Sequence, residues 1–142
     1  MATPVLKVKF CGDGGRLPVY GTAGSVGLDV FAAEARNIEP GDRVLIRTGI
    51  GISPPPGTYG QLFSRSSLAL RGVDVCAGTI DPDFTGEVKV LLANSGPLPV
   101  FIAPGDRIAQ LVFLKFERPV CQLVDDLQPT DRGAGGFGST GQ

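Results

Sequence analysis

Apolar residues in this chain recur mostly at alternate positions. Leu6, Val8 and Phe10 face one way and Lys7 and Lys9 the other, Val88, Val90 and Leu92 alternate with Glu87, Lys89 and Leu91, and Ile108–Phe113 is a fuller apolar run. A period of two marks a strand, because successive side chains point to opposite faces of a sheet. Strong turn formers separate these stretches: Glu39-Pro-Gly-Asp42, Ser53-Pro-Pro-Pro-Gly57, Asn94-Ser-Gly-Pro97 and Ala103-Pro-Gly-Asp106. In Pro40-Gly41 and Pro104-Gly105, proline presets φ at the second turn position and glycine takes the positive φ of the third, which predicts type II turns. Short strands between such turns predict an all-β, jelly-roll-like barrel. Only Ser66–Arg71 hints at helix, with a serine to cap it and Gly72 to end it. From Gln128 onward apolar mass runs out and glycine dominates. That predicts a barrel over residues 1–127 and a flexible tail over 128–142.

Composition narrows the chemistry. The chain has 142 residues, the size of one domain with a real core. Its 21 glycines and 12 prolines fit turn-dense β structure, since 42% hydrophobic residues and no repeat argue against low complexity. Histidine is absent. That removes Ser-His-Asp and Cys-His pairs, a His-ligated zinc and a His general base, leaving carboxylates, Lys, Tyr or Cys for acid–base work. Lys and Arg number 13 against 14 Asp and Glu, so no basic platform for nucleic acid is expected, although a few local arginines would hold a small anion. Cys11, Cys76 and Cys121 are odd in number and far apart, without a C-x-x-C, and are expected to be buried thiols in a reducing compartment. The N-terminus lacks an apolar leader core, and no apolar run reaches the ~18–20 residues of a membrane span. A soluble, intracellular protein is expected, cytoplasmic or nuclear.

Several stretches carry candidate chemistry, each with a plainer alternative. The tail Arg132-Gly-Ala-Gly-Gly-Phe-Gly-Ser-Thr-Gly141 fits G-x-G-x-x-G from Gly133 to Gly138, yet only four residues follow Gly138, too few for the helix a dinucleotide fold requires. What remains is a run of backbone N–H groups, two hydroxyls and an arginine suited to phosphate oxygens, with one phenylalanine placed to stack on a flat ring; a solvated tail is the alternative. Asp81-Pro-Asp-Phe-Thr-Gly86 reads as a hairpin turn, and Asp81, following Ile80 at a strand end, could also be a rigidly held base. Phe63–Ala69 offers an arginine and three hydroxyls at a possible helix start, where anions bind, or simply a capped helix. Asp29 is a turn carboxylate or a partner for an arginine. Gln110, polar within an apolar run, needs partners for its amide, from backbone or from a ligand.

Taken in order, AGSVGLD, SRSSLA, GTIDPDFTGEVKV, GDRIAQ and RGAGGFGSTG closely resemble the ordered motifs of the trimeric deoxyuridine triphosphatases (dUTP diphosphatases), from about Ala23 to Gly141. Each motif alone is weak, but the set in order and spacing is specific. The resemblance implies a jelly-roll subunit, a homotrimer with shared active sites, and Mg²⁺-dependent hydrolysis of dUTP to dUMP and pyrophosphate, which limits uracil in DNA and supplies dUMP for thymidylate synthesis. It implies Asp81 as the base for the attacking water, and Arg65, Ser66, Ser67 and Gln110 as phosphate contacts. The backbone of Gly78, Thr79 and Ile80 would read uracil with Lys89 nearby, and Phe84 would exclude a 2′-hydroxyl. Arg132, Ser139 and Thr140 would close on the γ-phosphate while Phe137 stacks on the base, with Gly138 also binding substrate. The metal would be held by phosphates and waters, with no direct protein ligand, and Asp29 would act through those waters or brace an arginine. No nucleic-acid or membrane partner is implied.

Two positions depart from the family pattern: Phe84 stands where tyrosine is usual, losing a hydroxyl, and Ser67 where glycine is usual. The string Arg65–Ala69 also resembles the dCTP deaminases. Those enzymes carry an arginine at the position of Leu70 and a catalytic glutamate at the position of Leu91, and leucine can neither shuttle a proton nor polarise an amino group. A non-catalytic module of the same fold would have no structural need for Asp81, Arg132 and Phe137, and all three are present.

Overall fold

Strands carry nearly all the regular structure of the computed structural model, which describes residues 2–138. They are β1 (Lys7–Phe10), β2 (Val19–Tyr20), β3 (Leu28–Phe31), β4 (Arg36–Ile38), β5 (Arg43–Arg47), β6 (Ile50–Ser53), β7 (Thr58–Phe63), β8 (Val73–Cys76), β9 (Thr79–Ile80), β10 (Lys89–Asn94), β11 (Val100–Ile102) and β12 (Arg107–Lys115), with one short helix, α1 (Ser66–Ala69). The largest sheet runs β2-β3-β12-β7-β9; a second runs β5-β10-β8; the pairs β1-β6 and β11-β4 complete the wall. The pairings are antiparallel, and neighbours in a sheet are mostly distant in sequence. The all-β architecture is the one the alternating pattern predicts.

The buried face of the pattern is the core. Val88, Val90 and Leu92 are at most 2% exposed and meet Ile38, Ile46, Val73, Ile102, Ile108 and Leu111 inside. Each such side chain stabilises the fold by roughly 1.5–3 kcal/mol relative to exposure. Both predicted Pro-Gly turns form: the Asp42 N–H donates to the Glu39 carbonyl and the Asp106 N–H to the Ala103 carbonyl, each at 3.0 Å, with Gly41 at φ +88° and Gly105 at φ +87°. One polar side chain sits in this interior by necessity. Asn94 is 2% exposed, and its amide donates to the carbonyls of Ile38 and Leu98 while its oxygen accepts from the Gly96 N–H at 2.9 Å, so it ties the 94–98 turn to β4.

Four local expectations change. Phe10 does not join Leu6 and Val8 against the core; it is 56% exposed, lying at the end of β1 over Gly15. No serine caps α1: Ser66 is its first residue, and the N-cap is Arg65 in extended geometry with no side-chain cap hydrogen bond. None of the thiols is buried. Cys121 is exposed, and Cys11 and Cys76 are half-buried, the latter opposite Leu91 at the end of β8. Finally, β12 ends at Lys115, so residues 116–127, expected within the barrel, form no strand and lie exposed.

Candidate active site

The predicted residues form two groups, one on the largest sheet and one between its β9 edge and the start of β10. The first is centred on Asp29 in β3, opposite Gln110 of β12. Asp29 is 7% exposed, and two guanidiniums share its carboxylate: Arg107 Nη1 lies 2.7 Å from Oδ2 and Arg65 Nε 3.7 Å from Oδ1. Arg65 is held further by its Nη1 donating to the Arg107 carbonyl at 3.2 Å. Arg107 also lies over the Phe31 ring, 5.6 Å from its centroid, beside Arg16 at 4.4 Å. Gln110 tucks against Gly27, where a Cβ would meet its side chain at 3.1 Å. Ser66 and Ser67 are exposed at the start of α1, next to Arg65. Two arginines around one carboxylate leave a local positive charge in a nearly neutral protein, which is the field a polyphosphate needs.

The second group forms a pocket of about 460 Å³ lined by Thr79, Ile80, Asp81, Phe84, Glu87, Val88 and Lys89. That volume suits a nucleoside-sized ligand. Its back is β9, entered through consecutive left-handed residues, Ala77 at φ +58° and Gly78 at φ +102°. A side chain at Gly78 would strike the Leu62 carbonyl at 2.8 Å, so both conformation and space demand glycine. The Gly78 carbonyl is committed to the sheet, accepting the Leu62 N–H at 2.9 Å. Thr79 donates its hydroxyl to Gln61 at 3.0 Å. The Phe84 N–H closes a turn on the Asp81 carbonyl at 3.0 Å, leaving the Asp81 side chain exposed. This turn is no simple hairpin, because β9 belongs to the largest sheet and β10 to the three-stranded one. The Phe84 ring folds back over Gly86, where a Cβ would meet it at 2.9 Å. The floor is pinned by Glu87, whose carboxylate pairs with Arg47 Nε at 3.1 Å and accepts the Gly49 N–H at 2.9 Å.

Within one chain these groups stay apart. β9 pairs with β7 as Gly60↔Ile80, so Asp81 continues beside Tyr59, whereas Arg65 follows the opposite end of β7. At ~3.3 Å per extended residue the two are on the order of 20 Å apart. Among the described residues of the tail, Arg132 and Phe137 join neither group. Residues 116–134 are exposed, Arg132 Nε donates to the Gly135 carbonyl at 2.6 Å in a local turn, and Phe137 projects fully into solvent at φ +50°. Gly138 closes the described chain at φ +82°; Ser139 and Thr140 lie outside the described residues. Among the described residues no three His, Cys, Asp or Glu side chains converge on a point that could hold a metal ion, and no helix is long and apolar enough to cross a membrane.

The dUTPase family profile matches residues 13–141. The chain belongs to the dUTPase family. It is 48% identical over 143 aligned residues to the deoxyuridine 5′-triphosphate nucleotidohydrolase of Anaeromyxobacter sp. strain Fw109-5, covering 96% of this chain and 97% of the relative. It is 52% identical over 132 residues to that of Methylocella silvestris, covering 88% and 82%. Among solved structures, the Staphylococcus bacteriophage 80alpha dUTPase with dUpNHpp superposes at a TM-score of 0.91 and 27% identity, over 99% of this chain and 100% of that one. A mutant dUTPase from phage phi11 of S. aureus, whose structure describes coordination of a structural Mg(II) ion, shares the fold at a TM-score of 0.81 and 23% identity, over 88% and 99%.

This dUTPase is thus an enzyme that cleaves dUTP to dUMP and pyrophosphate. Sequence reasoning named Asp29, Arg65 and Gln110 separately; the sheet brings them together. It also named Thr79, Ile80, Asp81, Phe84 and Lys89, which share the pocket. It missed Arg107 and Glu87. Glu87 stood in a recognised motif as a plain strand residue, and only its pairing with Arg47, distant in sequence, reveals its task. Arg107 stands at an odd offset from Gln110, which in a regular strand puts the two on opposite faces.

Proposed function

We propose that this dUTPase assembles each active site across chains of a homotrimer, the pocket of one copy facing the arginine cluster of another, with Asp81 as general base. The observation that carries this is the separation within a chain. A base must reach the attacked phosphorus through one water, and ~20 Å is too far for Asp81 to serve a phosphate held by its own Arg65. In the composite site, Arg65, Ser66, Ser67 and Gln110 hold the phosphates. The β9 backbone reads uracil with Lys89 beside it, and Phe84 packs on the deoxyribose. Asp81 takes the proton of a water attacking the α-phosphorus, and pyrophosphate leaves in line. Asp29 braces its arginines.

The cofactor of this reading is Mg²⁺. The donor set fits a hard cation bound through oxygen: phosphates and waters would hold it, with no side chain as direct ligand, and it would neutralise phosphate charge. The tail 128–142 closes last, with Arg132, Gly138, Ser139 and Thr140 on the γ-phosphate and Phe137 on the base, which excludes water and strengthens every phosphate contact. A nucleoside triphosphate substrate and free thiols suit an intracellular enzyme.

Subunit mixing tests the shared site. Asp81→Asn and Arg65→Gln chains are each expected to be nearly inactive, and co-assembled mixtures to regain activity, because some sites then combine an intact Asp81 with an intact Arg65 from different chains. Mixtures as inactive as the parents, with mixed assembly verified by mass, would show that each chain holds its own site.

A further inference from the structure

We propose that Arg107 is a positioning residue for dUTP hydrolysis: it neutralises Asp29 so that Arg65 is oriented by that carboxylate without being captured by it. This rests on the reading of Arg65 as a phosphate contact. Three observations carry it.

The first is backbone geometry. Along β12 and β3 the register runs Gln110↔Asp29 and Ala109↔Val30, then slips so that Arg107, not Ile108, stands opposite Phe31. Ile108 is the extra residue of a β-bulge, and it is fully buried next to Ala109. In a regular strand Arg107 and Gln110 would point to opposite faces; the bulge turns Arg107 onto the face that carries Gln110, Asp29 and Phe31. The second is the division of the carboxylate. Arg107 makes the short contact, 2.7 Å, while Arg65 stands off at 3.7 Å, beyond hydrogen-bond reach. The third is that Arg107 is itself fixed, by the Phe31 ring on one side and by Asp29 on the other.

Without Arg107, a nearly buried carboxylate would keep a single counter-ion. Asp29 would then draw Arg65 into a close pair, and a neutral pair has little attraction for phosphate. Arg107 prevents that: with it, the cluster stays net positive and Arg65 keeps donors for the substrate.

The test compares binding of dUpNHpp with that of deoxyuridine, which carries no phosphate, in the full-length enzyme. Arg107→Gln is expected to weaken dUpNHpp on the order of 10- to 100-fold, as for loss of a charge-assisted contact, and to leave deoxyuridine within about twofold, as remote surface changes do. Adding Asp29→Asn to Arg107→Gln removes the captor, so the double variant is expected to bind dUpNHpp several-fold better than Arg107→Gln alone. A merely structural arginine would give the reverse, a second loss on top of the first. Unchanged dUpNHpp affinity, equal losses on both ligands, or a double variant no better than the single would overturn the proposal. If Arg107→Gln does not fold, Arg107→Lys carries the same comparison: it keeps the charge but not the plane that spans Asp29 and Phe31, so several-fold weaker dUpNHpp is expected, and no loss overturns it. Arg65→Gln separates the two readings. If it leaves dUpNHpp affinity intact, Arg65 holds no phosphate and both fall; if it weakens binding while Arg107→Gln does not, only the role of Arg107 falls.

Discussion

Asp29 and Asp81 are both aspartates beside the same five-stranded sheet, yet their surroundings are opposite. Asp29 is 7% exposed in β3, clasped by Arg65 and Arg107, whereas Asp81 is exposed on the turn after β9, with its carbonyl rather than its carboxylate engaged in the turn. The difference separates two uses of one side chain. A carboxylate between guanidiniums organises charge and resists disturbance, while one at an exposed strand end is available to take a proton. The regions around them differ too: the pocket from Thr79 to Lys89 combines a ring and apolar side chains with Asp81, Glu87 and Lys89, whereas the other group centres on one carboxylate between two guanidiniums.

The largest expected effect falls on the pocket side. Asp81→Asn should lower kcat by about 10²–10⁴-fold, with dUpNHpp still bound and unfolding midpoints unmoved; rates within a few-fold of wild type would pass the role of base to another group. Removing residues 132–142 should come next, costing roughly 10²-fold or more in turnover, while circular dichroism and assembly mass stay those of the intact protein. Near-normal rates in the truncated enzyme would remove the tail from the site. Asp29→Asn inverts the pattern of its counterpart, with a loss of about 1–3 kcal/mol in urea unfolding, because it leaves two guanidiniums around a neutral amide. Stability equal to that of Asp81→Asn would erase the contrast between the two aspartates. Smaller again is Gly86→Ala. Its Cβ would press on the far end of the Phe84 ring at 2.9 Å, so the ring swings and KM for dUTP rises a few-fold, an effect of under ~1 kcal/mol. The least is Phe84→Tyr, which keeps the ring and adds a hydroxyl at a half-exposed position, and should change kcat/KM by less than about threefold.

Much of this was legible before any coordinates. The alternation Val88-Val90-Leu92 reports its own face, and the Pro-Gly pairs report their own turns, since both signals are local. Failures occur where a local signal was overruled from a distance. Ser66 has the chemistry of a cap, but the helix takes it as its first residue and leaves the N-cap position to Arg65, which is held by Asp29 and the Arg107 carbonyl. Phe10 has the right parity for the core, but β1 ends where the barrel does not cover it. Glu87 looks like a solvent-facing strand residue until Arg47 and the Gly49 N–H close on it.

By itself, the sequence determined the class of fold and the absence of histidine chemistry, which follow from period, turn chemistry and composition, none of which needs a partner element. The candidate base and the groups around it were named through the resemblance of the ordered motifs to the dUTPase family. Only the tertiary structure decided which candidates meet. Gln110 and Asp29 lie 81 residues apart in sequence, beyond any short-range rule; the β3–β12 ladder sets them side by side. The bulge at Ile108 then brings Arg107 to the same face, against the parity of its position, and the β7–β9 pairing sends Asp81 to the far end from Arg65. Register is a property of two strands together, because one residue of slip exchanges every face, and no single stretch of chain carries that information.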